Sequence, residues 1–143
     1  MKNFHYMIAG ALLALAAAAP AVAATPCDGI WQKKLADGSA LLRQMPAKQR
    51  PDKPKVYDVM QSGGFSIVWA EFTDAEPGGY IFNKTRLVEV WGGVAGTDTA
   101  ADLAGWALKQ DKAMPRPLAN CFGWYVAGGR EKSPPARKNP FSQ

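Results

Sequence analysis

Residues 56–91 read VYDVMQSGGFSIVWAEFTDAEPGGYIFNKTRLVEVW, and this stretch decides the fold class. Four runs rich in β-branched and aromatic residues, 56–61, 65–73, 80–82 and 86–91, are separated by Ser62-Gly63-Gly64, by residues 74–79, and by Asn83-Lys84. Such runs fit a pleated, half-buried surface, and glycine, proline and asparagine between them set turns. Four strands joined this tightly predict an antiparallel meander.

Working outward, both flanks change to helical spacing. Upstream, Trp31, Leu35, Gly38, Leu42 and Met45 recur at helical intervals with Asp28 placed to cap them, although Asp37-Gly38 would equally serve a hairpin turn. Pro46, Pro51 and Pro54 then forbid regular structure until Val56. Downstream, Thr97 or Asp98 opens a second helix, with Thr99 and Asp102 at capping-box spacing and an apolar stripe at Ala100, Leu103, Ala104, Ala107 and Leu108. Met114, Pro115 and Pro117 close it, and residues 120–127 read as a last strand with Gly123 as a bulge. The expected architecture is α+β: a meander plus a C-terminal strand, packed against one or two helices.

The ends define the domain limits. Residues 1–23 carry Lys2, an uncharged apolar run of 13 residues from 7 to 19, Pro20 and the small-residue tripeptide Ala21-Val22-Ala23. That run is shorter than the roughly 20 residues a membrane-spanning helix needs, so the segment predicts a secretory signal cleaved near Ala23, with a periplasmic or secreted product and no membrane span in the mature chain. Residues 24–127 are one domain, and 128–143, made of glycine, proline, serine and charged residues apart from Phe141, are expected to be a disordered basic tail.

Export places Cys27 and Cys121, the only cysteines, in an oxidising compartment, where a disulfide between them is the one intramolecular solution. A loop this long lowers unfolded-chain entropy by about 4 to 5 kcal/mol in the simple closure model.

Charge is informative only once located. Without Lys2 the chain has 16 basic and 12 acidic residues, and residues 46–55 and 128–143 each contribute +3, leaving the rest near −2. A nucleic-acid groove on the body is therefore not expected. Loose, salt-sensitive attraction of the two basic segments to anionic polymers or lipid head groups is.

The single histidine, His5, leaves with the signal. An imidazole base or zinc ligand is then unavailable, and a bridged cysteine is no nucleophile. The loop from Trp91 to Thr97 has the outline of a phosphate-binding turn, but it lacks the following lysine and the G-x-G-x-x-G spacing, and Asp98 and Asp102 oppose an anion. No metal or cofactor is implied.

Carboxylates and tryptophans remain. Strand alternation places Ile67, Trp69 and Glu71 on one face of the second strand and Leu87, Glu89 and Trp91 on one face of the fourth. If the aliphatic faces pack inward, Trp69, Glu71, Glu89 and Trp91 form a surface suited to a protein or glycan partner. If the N-terminal helix covers that face instead, the tryptophans are core. Trp106 lies off the main stripe of its helix and is a candidate for exposure. The expected function is non-catalytic binding of another envelope macromolecule, as an inhibitor or immunity-type protein. The alternatives are a small-ligand carrier or sensor with an apolar cavity, and a carboxylate-based peptidoglycan hydrolase using Glu71 and Glu89.

Overall fold

A computed structural model of the chain describes residues 24–32, 34–50, 53–73, 75–93 and 95–129, without the side chains of residues 31, 32 and 75. The expected signal segment and residues 130–143 of the expected tail lie outside the described residues.

The elements run β1 (Trp31–Gln32), α1 (Leu35–Arg43), β2 (Lys55–Ser62), β3 (Phe65–Phe72), β4 (Ala75–Asn83), β5 (Arg86–Gly92), α2 (Ala100–Gln110) and α3 (Arg116–Val126). β2 to β5 form the antiparallel meander, and the two-residue β1 extends it beside β2, giving the order β1-β2-β3-β4-β5. The β2–β3 hairpin closes at the Ser62–Phe65 pair, with Gly63 at φ 56° and Gly64 at φ 83°. Positive φ at both central residues matches the right-handed twist of the strands, which is why glycines stand there.

The sheet is covered on both sides. On one side Phe65, Ile67, Trp69, Met60 and Ile81 pack under α2 and α3, against Leu103, Ala107, Leu118, Phe122 and Tyr125. On the other, Val56, Val59, Val68, Ala70, Phe72, Tyr80 and Phe82 pack under α1, against Leu42 and Met45. Every β3 side chain except the half-buried Glu71 is therefore buried. The result is three layers, α1, sheet, and α2 with α3.

The α+β class, the meander and the Cys27–Cys121 bridge agree with the sequence reading. The bridge has an S–S distance of 2.09 Å and joins two fully buried residues.

Four local expectations do not hold. First, 116–126 is a helix and not a strand. Its aromatic, low-propensity composition resembles a strand, yet Leu118, Cys121, Phe122 and Tyr125 fall on one helical face and all are buried. Pro115 is its N-cap and Pro117 lies in its first turn, where a missing N–H costs no helical bond. Gly123 is no bulge: a Cβ there would stand 2.1 Å from the Ala100 carbonyl oxygen, so glycine permits the close approach of α2 and α3.

Second, α1 starts only at Leu35, after β1, and Asp28 does not cap it. The Asp28 carboxylate instead accepts the Thr25 backbone N–H at 3.0 Å and the Thr25 hydroxyl at 2.9 Å. Between helix and hairpin, the structure selects helix through Asp37-Gly38, because Gly38 is the point where α1 rests on the sheet. A Cβ at Gly38 would meet Val59 Cγ2 at 2.7 Å and Val68 Cγ1 at 3.1 Å.

Third, residues 75–79 belong to β4 and not to a turn. Gly79 pairs with both Trp69 and Trp91, and a Cβ on it would stand 3.0 Å from the Phe122 ring. Its absent side chain makes room for aromatic ones. Fourth, the ordered body continues past 127, since Gly129 is buried and a Cβ there would lie 2.2 Å from the Trp124 ring.

The capping box of α2 forms as its spacing predicts. Thr99 is the N-cap, its hydroxyl accepts the Asp102 N–H at 3.2 Å, and the Asp102 carboxylate accepts the Thr99 N–H at 2.9 Å. The Thr99 hydroxyl also donates to Asp102 Oδ2 at 2.7 Å, and this bond first, then the Thr99 N–H, favours the charged carboxylate and holds Asp102 below the usual carboxylate range.

Candidate functional site

The four residues singled out by strand alternation do not share an open face. Trp69 is only 6% exposed, Trp91 and Glu71 are half-buried, and Glu89 is exposed. The cover comes from α2 and α3, while the N-terminal helix lies on the opposite, aliphatic side. The proposed Trp/Glu surface is thus largely a core, and the expectation of one continuous binding face is corrected.

The tryptophans belong to an aromatic row beneath α3. Trp106 lies 5.9 Å from Phe122, Phe122 6.1 Å from Trp91, Trp91 5.8 Å from Trp69, and Trp69 5.2 Å from Tyr125, measured between ring centroids. Trp106 is half-buried in this row and does not project freely. The Trp69 indole N–H is buried and has no hydrogen-bond partner among the described residues. Its Cε3–Cζ3 edge lies nearest the Cβ position of Gly79, so the N–H edge is turned from β4 toward β2. On that side stands Tyr125, whose ring meets the indole at 64°.

The backbone register does not bring Glu71 and Glu89 together as a glycosidase pair. Glu89 pairs with Ile81 and Ile81 with Ile67, so Glu71 lies two strands away and four residues further along. Strand spacing and rise convert this to about 10 Å across the sheet and about 13 Å along it, roughly 16 Å in all. Acid and base in these enzymes stand about 5 to 9.5 Å apart. Their carboxylates also point to different partners. Glu71 accepts the Tyr57 hydroxyl from the β2 side, and Glu89 Oε1 accepts the Val90 backbone N–H at 2.9 Å on β5.

Sequence patterning missed the residues that do converge. Tyr57, at a register shift in β2, reaches Glu71 and lies under the Lys55 ammonium, 5.0 Å from its ring centroid. The Tyr125 hydroxyl donates to Asp58 Oδ2 at 2.7 Å across 67 residues of sequence, joining the end of α3 to β2. Only the helix at 116–126 makes that contact possible, so no strand-based reading of that segment could have found it. A second polar clip sits at the other end of the sheet. Asp111 accepts from the Ala113 N–H at 2.9 Å, from Asn83 at 3.2 Å and from Arg86 at 3.4 Å. These donors hold its carboxyl below the usual range, the Ala113 bond first among them.

One accessible edge of the sheet is β5, which pairs with β4 and with no further strand among the described residues. A register shift at Ile81/Phe82 bulges this strand around Val88. Glu89 and Val90 are exposed there, and Val90 is the one large apolar side chain among the described residues that reaches 36% exposure. Trp91 is half open, with Phe122 and Trp69 behind it. Among the described residues no three His, Cys, Asp or Glu side chains converge on a metal site. No described helix is long and apolar enough to cross a membrane. Comparison with protein-family models, with curated proteins and with solved structures finds no match to this chain.

Proposed function

We propose that the chain is a non-catalytic binding protein of the cell envelope, periplasmic or secreted, that engages another protein in the manner of an inhibitor or immunity protein. The observation that carries this reading is the β5 edge. An aromatic side chain held from behind by two rings, with the exposed Glu89 on its own face and the exposed Val90 on the other face of the same edge strand, loses little rotamer freedom when a partner covers it, as interface anchors require. A sheet edge also offers main-chain groups that an extended segment of a partner can pair with. The two filled sheet faces leave binding to such an edge.

The test is capture by the tagged chain from its own envelope, repeated with Val90→Asp and Glu89→Lys. A stoichiometric protein lost from both variants, whose thermal melts match the parent, supports the reading. Retention by both variants removes β5 as the surface, and absence of any protein partner removes the reading itself. Peptidoglycan turnover by the parent that Glu71→Gln abolishes would refute the non-catalytic assignment.

A further inference from the structure

The three layers differ in charge. Between Lys34 and Lys53, the segment of α1 and its connection to β2, five basic residues face two acidic ones, a net of +3. The sheet segment 55–93 carries three basic and five acidic residues, a net of −2, and 97–126 carries three of each. The net positive charge of the described body therefore lies on the α1 side of the sheet.

Within that layer Arg43, Lys48, Arg50 and Lys53 are all exposed. No ion pair within 4.0 Å joins any of these four to a described carboxylate. Two of them, Arg43 and Arg50, are brought together. The Arg50 guanidinium donates to the Arg43 carbonyl oxygen at 2.8 Å, folding the connection back on the C-terminal end of α1, and the Gln49 N–H closes a turn on the Pro46 carbonyl at 2.8 Å. Cations at a helix C-terminus are favoured by the helix dipole, which stabilises this clustering. Four exposed cations spread over the end of α1 and its connection to β2 suit a field of phosphates more than a single enclosed anion.

We propose that the α1 layer docks electrostatically on a bilayer containing anionic phospholipid, with α2 and α3 turned away from it. This does not depend on the partner assigned to β5. Each basic residue near such a surface contributes separately, and the contribution is screened by salt.

The experiment is sedimentation of the chain from residue 24 to 143 with vesicles of phosphatidylcholine alone or mixed with phosphatidylglycerol, at low and high salt. The double variant Lys48→Gln/Lys53→Gln is compared with Lys109→Gln/Lys112→Gln, which removes the same charge from the α2 side. Both retain the basic residues beyond 129, so those cannot account for a difference. We expect binding only to the anionic vesicles, lost at high salt, with a partition coefficient falling about tenfold in the first variant and less than about twofold in the second. Equal losses would reduce the effect to net charge, and binding to phosphatidylcholine alone, or to neither vesicle, would overturn the proposal. Binding of soluble polyphosphate in the absence of vesicle binding would equally overturn the bilayer in favour of a free polyanion.

Discussion

The two faces of this sheet are filled by different means. The α1 face is aliphatic except for Phe72, Tyr80 and Phe82, and one nine-residue helix covers it. The opposite face is built from large rings, covered by two helices and tied to the N-terminal segment by the Cys27–Cys121 bridge. Each face nevertheless depends on one helical glycine for its closest contact, Gly38 against valine methyl groups and Gly123 against the backbone of α2. Valine methyls can rotate and shift, whereas a helix backbone must move as a body. The same missing Cβ is therefore worth more on the aromatic side.

Substitution by alanine at these positions breaks or sharpens that comparison. The largest effect is expected for Gly123→Ala, whose Cβ would lie 2.1 Å from a carbonyl oxygen. Separating α2 from α3 should lower unfolding free energy by about 3 kcal/mol, read from denaturant midpoints. For Gly38→Ala, a gain of about 1 kcal/mol in helix propensity opposes an overpacking cost of about 1–3 kcal/mol, so a net loss near 1 kcal/mol is expected. Gly105 in α2 serves as the reference, since nothing lies within 4 Å of its Cβ position. Gly105→Ala should stabilise by up to about 1 kcal/mol. Equal losses at Gly38 and Gly123 would show that the two faces yield alike.

The smallest effect is expected from acid. Asp102 and Asp111 both sit on the aromatic side of the sheet, with folded-state pKa values below their unfolded ones. Their contribution is therefore complete above the usual carboxylate pKa near about 4 and is lost as pH falls through the lowered folded values. Melting temperature should decline over that acidic window, and Asp102→Asn should flatten part of the decline. An unchanged slope in that variant would show that the capping box does not carry the acid sensitivity.

Much of this was legible in the chain itself. The runs of β-branched residues around Gly63-Gly64, the Thr99–Asp102 spacing and the lone cysteine pair are local or combinatorial signals, and each corresponds to a structural element. The misread segments share a cause. Gly78, Gly79 and Gly123 punctuate a sequence like turn or bulge residues, yet here their missing side chains admit, in turn, the backbone of the paired strand, the rings of neighbours and the backbone of another helix. Such a role depends on what lies opposite and leaves no local trace. The aromatic run around Phe122 favours a strand by propensity, and burial of one helical face overrides it.

The candidate site divides along the same line. Alternation along β3 and β5 was enough to place Trp69, Glu71, Glu89 and Trp91 on a common side of the sheet, because successive strand residues point to opposite faces, but the bulge around Val88 turns Leu87, expected beside them, to the α1 side. Which helices covered that side, how far apart Glu71 and Glu89 stood along the sheet, and that the β5 edge stayed open were decided by tertiary packing. Pleating is a property of each residue and its neighbours, whereas coverage depends on where separate segments, here α2 and α3, come to rest.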